Sequence, residues 1–323
     1  MTHAQRHRRS LFGLTLTLVL SISTSGLANA QQLVELPKVP GTLVDVGSRR
    51  LHLHCMGSGS PTVVIENGGG AFSVDWELVQ PAVSRVTRVC TYDRAGYAWS
   101  DPGPVRDLPD QVASDFALLL ESGGVPPPYV LVGQSIGGIM VRDYQRRRPE
   151  RVAGIVLVDP THDEGLAYII DGKPKTISLT TRQELRQFMQ TLMERPAPPL
   201  IIPEKVSQPY DRLPADLQRV RLWAEQRYAL DTDRSQTPYI GEGQRQQFTA
   251  LRRQRLEQPQ PLGDLPLVVI TNGVNKQKAQ VRTLSTSGQL VVAEKSCHEV
   301  HVCSPEIVIE GIRTVVSASR NPR

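Results

Sequence analysis

The stretch YVLVGQSIGGIMVRDYQ, residues 129–145, decides how the rest of the chain is interpreted. Four apolar residues run into a serine that has a glycine two positions away on each side, and a segment with a helical pattern follows at once. This order predicts a buried strand, a tight bend and a helix. Ser135 at the bend is then either an ordinary turn residue or a nucleophile held at a strained corner.

The surroundings of Ser135 favour the nucleophile. Residues 133–137 fit the pattern G-x-S-x-G, but with Gly and Ser each near ~7% of residues, roughly one chain of this length in ten fits it by chance. The preceding strand and the following helix supply the strand–elbow–helix setting that the motif needs. Gly133 and Gly137 leave room around the bend, so Ser135 is expected to project from the carboxyl edge of a sheet, near the positive end of a helix.

Strand and helix signals alternate along most of the chain, which predicts an α/β fold with a parallel sheet covered on both faces. The alternation stops after Pro160 and resumes at about residue 262. The interval 161–261 is rich in Gln, Arg and Pro and is expected to be an insertion. Three of its segments have a helical pattern: 181–195, 215–230 and 243–256.

The first thirty residues have the features of a cleaved export signal. Arg6, Arg8 and Arg9 precede an apolar run, and the small-residue exit ANA ends at Ala30. An N-terminal membrane anchor is the alternative. The protein is therefore expected to be exported, to the periplasm or the medium, with residues 1–30 removed.

The net charge excludes one class of partner. The chain has 37 Lys and Arg against 32 Asp and Glu, and removal of residues 1–30 leaves 34 against 32, a net charge of +2. Such a balance does not attract phosphates by bulk charge, so no nucleic-acid partner is expected. No later segment is long enough to span a membrane, so no stable span is expected after signal cleavage.

A serine becomes a good nucleophile only when a base takes its proton. The chain after residue 30 has five histidines: His52, His54, His162, His298 and His301. His298 is the candidate base, because it lies in the loop between the last strand pattern and the last helix pattern. His301, three residues on, is expected to be a packing or loop-anchoring residue.

With Ser135 and His298 in these positions, the chain resembles α/β-hydrolase fold enzymes of the serine-nucleophile esterase and lipase type with a cap. The resemblance covers residues 45–160 and 262–316 in the family's order. Five segments carry it: TVVIENGGG (62–70), RVCTYDRAGYAWSDPG (88–103), YVLVGQSIGG (129–138), VAGIVLVDP (152–160) and AEKSCHEVHVCSPEIVIEGI (293–312).

The resemblance implies a domain organisation. The core is a mostly parallel central sheet flanked by helices, formed by residues 31–160 and 262–323. Residues 161–261 are a helical cap, or lid, inserted between the sixth and seventh core strands. No motif of the cap is matched.

The resemblance also assigns the oxyanion hole to the backbone N–H groups of Ile136 and Gly69. The family's usual His-Gly is replaced here by Asn67-Gly68, which leaves the second donor open. Preset donors matter for the reaction, because losing one costs ~3–4 kcal/mol of barrier.

The triad acid is the member for which the sequence offers several candidates. The loop after the seventh core strand, where the family commonly carries it, reads VVITNGVNKQKAQ and has no Asp or Glu. Some members place the acid after the sixth strand, which makes Asp159 the candidate. The alternatives are Asp163, Glu164 and Glu294, an uncharged partner such as Asn272 or Asn275, or a structural turn role for Asp159 before Pro160.

The four cysteines are expected to form two disulfides, since an even count in an exported chain favours pairing. The family's fold places strands two and four side by side, which implies the bridge Cys55–Cys90. Cys297 and Cys303 then remain to close a short loop around His298. Free buried thiols are the alternative.

These features predict an exported serine hydrolase that cleaves carboxylic esters through Ser135, His298 and Asp159, with a small-molecule ester as substrate and no metal or cofactor. A non-catalytic binding protein on the same fold is the alternative from another class, and an acyltransferase or peptidase of this fold is also open. A dehalogenase or epoxide hydrolase is disfavoured, because those relatives carry a carboxylate at the elbow. The substrate's identity and the oligomeric state are not indicated.

Overall fold

The apolar run before Ser135 forms an inner strand of a large sheet in the computed structural model of the chain. The structure describes residues 37–103, 109–170, 173–178, 181–194, 201–231 and 242–321. The predicted export signal, residues 1–30, lies outside the described residues. Residues Lys38–Arg323 form one compact unit.

Within the described residues, eight strands form the main sheet in the order β1-β2-β4-β3-β5-β6-β9-β10. β2 pairs antiparallel with β1 and β4, and the remaining neighbours pair in parallel. The strands are β1 Thr42–Asp45, β2 Arg50–Met56, β3 Thr62–Glu66, β4 Val89–Tyr92, β5 Tyr129–Gln134, β6 Val152–Val158, β9 Leu267–Thr271 and β10 Gly288–Val292. The mostly parallel sheet is the one that the alternating sequence signals predict.

Helices connect these strands and cover both faces of the sheet. They are α1 Gln80–Val83, α2 Pro109–Ser122, α3 Gly137–Arg147, α4 Arg182–Met193, α5 Ala215–Asp231, α6 Glu242–Glu257, α7 Lys276–Gln280, α8 Val300–Cys303 and α9 Pro305–Arg320. Among the described residues, no helix combines the length and apolar character that a membrane span requires.

Two apolar layers hold the helices on the sheet, because successive side chains of a strand point to opposite faces. Leu131 of β5 packs in one layer with Phe116 of α2 and Tyr144 of α3. Val130 of the same strand packs in the other layer with Ile312 of α9. A strand buried on both faces is expected to be apolar at successive positions, as β5 is from Tyr129 to Val132.

The segment between β6 and β9 is not only helical. It contains α4, α5 and α6, which match the three predicted helical segments, but also a hairpin of β7 Gly165–Ile170 and β8 Lys173–Ser178. The sequence patterns did not predict this hairpin. It forms a separate two-stranded sheet and does not extend the main one.

Candidate active site

Ser135 lies at a sharp corner between β5 and α3. Its φ of +54° is in the left-handed region, which costs a non-glycine residue conformational energy and is held only when neighbours over-determine it. The Ser135 N–H donates to the carbonyl of Val158 on β6 at 3.0 Å, and its carbonyl accepts from Gly138 at 3.0 Å. Both bonds fix the backbone while the side chain stays half-buried and within reach of solvent.

The glycines on either side of Ser135 are required by close backbone contacts. A Cβ at Gly133 would lie 2.6 Å from the carbonyl oxygen of Gly137, and one at Gly137 would lie 2.5 Å from the carbonyl oxygen of Glu66. Real side chains do not tolerate such distances. The glycines therefore let α3 start directly at the end of the sheet, which is what makes the bend sharp.

Asp159 and His298 are in direct contact. The Nδ1 atom of His298 lies 2.5 Å from Oδ2 of Asp159, and the Asp159 side chain is fully buried while that of His298 is 44% exposed. A carboxylate only accepts hydrogen bonds, so Nδ1 carries a proton and Nε2 of the neutral ring is left as an acceptor. An imidazole in this tautomer can take a proton through Nε2.

The backbone holds Asp159 at the same sheet edge as Ser135. Asp159 follows β6 with a φ of +41°, and its N–H donates to Ile270 of β9 at 2.7 Å. The chain then turns back, so that the N–H of Thr161 donates to the carbonyl of Ser135 at 3.0 Å. Ser135 thus lies beside the turn that carries the acid in contact with His298.

Asp159 has a second charged neighbour that the sequence did not reveal. Lys278 of α7 places its ammonium 2.7 Å from Oδ2, and the N–H of Asn272 donates to Oδ1 at 3.2 Å. Burial acts to raise the pKa of Asp159, but the hydrogen bonds from His298 and Lys278 outweigh it, and the pKa lies below its ordinary value. The carboxylate is therefore ionised when it meets His298.

The predicted oxyanion residues lie against the elbow. A Cβ on Gly69 would be 3.9 Å from Cγ2 of Ile136, and a Cβ on Gly68 would be 3.3 Å from Cβ of Ser135. Gly70, next in the loop, has a φ of +71°, a left-handed conformation that favours glycine. Ile136 is the N-cap position of α3, where helical N–H groups have no intrahelical acceptor.

Asn67, which replaces the family's histidine in this loop, has a structural role. Its side-chain oxygen accepts from Nε1 of Trp76 at 2.7 Å, and its amide donates to the carbonyl of Tyr92 at 2.9 Å. Next to it, buried Glu66 accepts from the Tyr92 hydroxyl and, at 2.8 Å, from Nε of Arg94. These bonds connect the ends of β3 and β4 and hold the loop that leads to Gly69.

Arg221 of α5, in the inserted segment, contacts the loop that follows β3. Its guanidinium lies 2.8 Å from Asp75, donates to the carbonyl of Gly70 at 3.4 Å, and has its central carbon 4.0 Å from the ring centre of Tyr210. Burial raises the pKa of Asp75 to about 7, although Arg221 acts to lower it. No local pattern singles out this arginine among the many of the insertion.

The other candidate acids are paired with arginines or exposed to solvent. Asp163 pairs with Arg142 and Arg255, and Glu164 pairs with Arg252 and Arg255. Glu294 is exposed to solvent. Of the uncharged alternatives, Asn275 caps α7 through its side chain, and Asn272 donates its backbone N–H to Asp159.

His162, Asp163 and Glu164 bring three potential metal-ligand atoms within 4.8 Å of one another. The surrounding charge argues against a cation there, because three guanidinium groups already neutralise the two carboxylates: Arg142, Arg252 and Arg255.

Both predicted disulfides are present, Cys55–Cys90 and Cys297–Cys303. The first joins directly opposed residues of β2 and β4. The second joins cysteines six positions apart and closes a short loop that contains His298. His301, on the same loop, stacks on Trp76 with ring centres 4.3 Å apart, and burial lowers its pKa to about 3, so it stays uncharged, in a packing role.

The chain matches the family model described as the alpha/beta hydrolase fold over residues 61–302. It is 24% identical over 300 residues to an AB hydrolase superfamily protein of Gibberella zeae, covering 80% of this chain and 87% of that protein. A thermophilic esterase from Thermogutta terrifontis shares the fold with a TM-score of 0.56 at 18% identity, covering 86% of this chain and 97% of that one.

Other relatives match a shorter stretch. A protein of Hormonema carpetanum named "Probable transporter efuK" is 38% identical over 125 residues, which is 36% of this chain and 18% of that protein. The chain thus spans well under two thirds of that relative's length. The family match extends over most of the present chain and contains Ser135, Asp159 and His298, and the chain belongs to the α/β hydrolase fold family of hydrolases.

Proposed function

We propose that the protein is a serine hydrolase that cleaves carboxylic esters through an acyl-enzyme intermediate. Ser135 attacks the carbonyl carbon, His298 takes the serine proton and returns it to the leaving alcohol, and Asp159 orients the imidazole and stabilises its charged form. The N–H groups of Ile136 and Gly69 bind the developing oxyanion. Water then attacks the acyl-enzyme by the same route and releases the acid.

The observation that carries the proposal is the contact of His298 with Asp159, 2.5 Å long, at the sheet edge where Ser135 occupies a strained corner. A strained serine alone is compatible with a turn. A serine beside a buried, ionised carboxylate that holds an imidazole in the basic tautomer has the parts of an activated nucleophile.

The same contact weighs against a non-catalytic binding protein. The sequence feature that favoured such a protein was the lack of an acid in the loop after β9. Asp159, which comes from the end of β6, supplies a carboxylate to His298 instead.

The test is labelling with a fluorophosphonate probe together with hydrolysis of p-nitrophenyl esters of increasing acyl length. We expect the probe to label Ser135 and the protein to hydrolyse at least one ester, with both signals lost in Ser135→Ala. Ser100→Ala, which changes a buried serine elsewhere, is the matched control for damage to the fold. A folded protein that is neither labelled nor active would support the binding protein.

We further propose that the protein is exported, on the basis of the signal-like residues 1–30 and the two disulfides. N-terminal sequencing of protein recovered from cell fractions tests this. A start near residue 31 in the periplasm or medium is expected, and full-length protein with reduced cysteines inside the cell would contradict it.

A further inference from the structure

Lys278 and the proposed base, His298, both contact the carboxylate of Asp159. Its ammonium lies 2.7 Å from Oδ2 of Asp159, and Nδ1 of His298 lies 2.5 Å from the same oxygen. The Lys278 side chain is only 23% exposed, and that of Asp159 is fully buried. An ammonium so close to a buried carboxylate is weakly screened by salt and acts strongly on any charge formed beside it.

The local structure fixes the lysine in this position. It lies in the short helix α7, whose N-cap Asn275 accepts a hydrogen bond from the Lys278 N–H at 3.1 Å. The helix follows β9, and β9 is the strand whose Ile270 accepts from the Asp159 N–H. The lysine and its carboxylate are thus attached to neighbouring strands.

The ammonium changes the charge balance of the proton transfer. While the imidazole of His298 is neutral, the charges of the Asp159 carboxylate and the Lys278 ammonium cancel. When His298 gains the serine proton, its positive charge forms beside an oxygen that already binds a cation. Without Lys278, the same step would convert a lone carboxylate into a neutral pair. Lys278 therefore opposes protonation of His298.

Two further titratable groups lie close to His298 along the chain, His301 and Glu299. His298 and Lys278 are the groups that act on the Asp159 carboxyl. His301 of α8 is uncharged, because burial lowers its pKa to about 3. Glu299 follows His298 directly along the chain and is half-buried.

We propose that Lys278 is a positioning residue of the site, which holds the Asp159 carboxylate for His298 and sets the lower pH limit of activity by opposing protonation of the imidazole. This inference rests on the proposed hydrolase function.

The test compares pH profiles of kcat/KM for p-nitrophenyl acetate in the wild type, Lys278→Met and Lys278→Arg. Met removes the charge at similar length, and Arg keeps it. We expect the acid limb of the Met variant to move to higher pH by about 0.5–1 unit, and that of the Arg variant to stay near the wild type. Lys276→Met, which removes an exposed cation from the same helix, is the matched control.

A second measurement does not depend on catalysis. The His298 ring can be titrated by NMR in the Ser135→Ala background, with and without Lys278→Met. A midpoint that rises on loss of the lysine supports the inference even if no ester is hydrolysed. A midpoint and an acid limb that both stay in place, or a uniform loss of rate at every pH, would show that Lys278 is only structural and would overturn it.

Discussion

His298 and Asp159 are 139 residues apart along the chain, yet Nδ1 of the first lies 2.5 Å from Oδ2 of the second. The contact joins the loop after β10 to the end of β6. It gives the imidazole a defined tautomer, and the proposed chemistry depends on it.

Replacement of Asp159 by Asn tests that contact. An amide can hold the ring through the wrong tautomer and cannot stabilise the imidazolium, so we expect kcat to fall by about 10³- to 10⁴-fold. Steady-state kinetics should show the loss while circular dichroism stays unchanged. Glu164→Gln and Glu294→Gln are the controls, and a comparable loss in either would assign the acid elsewhere.

Arg221→Met should destabilise the protein, because it leaves Asp75 buried without its counter-ion. The expected loss is about 3–5 kcal/mol in the free energy of unfolding, measured in denaturant. The double variant Arg221→Met/Asp75→Asn should lose less than Arg221→Met alone, since the side chain at position 75 then carries no charge that needs a counter-ion. A double variant that loses the sum of the two single losses would mean that the pair is not coupled.

Asp75 should also give the stability a specific pH dependence. Its pKa is about 7 in the folded protein, against an ordinary value of 3.8. Between these values the folded state holds a proton that the unfolded state has released, so this group's contribution to stability falls as the pH rises from about 4 to 7. The difference between wild type and Asp75→Asn, followed by unfolding at several pH values, should show this slope. Parallel curves would contradict it.

Loss of one disulfide should mainly reduce stability, and loss of the other should mainly reduce activity. In the loop-entropy description, loss of Cys55–Cys90, with a sequence separation of 35, costs roughly 4 kcal/mol and loss of Cys297–Cys303, with a separation of 6, roughly 2 kcal/mol. The second loop carries His298, so we expect the double serine variant at 297 and 303 to lose more ester hydrolysis at 25 °C. The reverse order in activity would show that packing alone holds the histidine.

His301→Phe should stabilise the protein. The ring is fully buried on Trp76, and neither nitrogen has a hydrogen-bond partner among the described residues. Phe keeps the stacking and removes the unsatisfied donor, for an expected gain of about 1–2 kcal/mol in the free energy of unfolding. Thermal denaturation is the measurement. A loss of stability would indicate that a buried water satisfies the imidazole.

The elbow was predictable because its causes are local. Gly133, Ser135 and Gly137 lie within five residues, and the strand and helix around them have clear periodicities. The position of His298 between the last strand and the last helix was also visible in the order of elements. The hairpin of β7 and β8 was not predicted, because the patterns recognised in the inserted segment were helical.

The sequence by itself determined the order of the strands and helices of the core, the serine at a bend between them, and a set of acids able to serve the histidine. Only the tertiary structure decided which acid meets His298, that Lys278 binds the same carboxylate oxygen, and that Arg221 reaches the loop of Gly70. Periodicity and turn chemistry depend on residues that are close together in the sequence, and they can therefore be recognised there. Contacts between side chains more than a hundred residues apart depend on how the sheet brings its strand ends together.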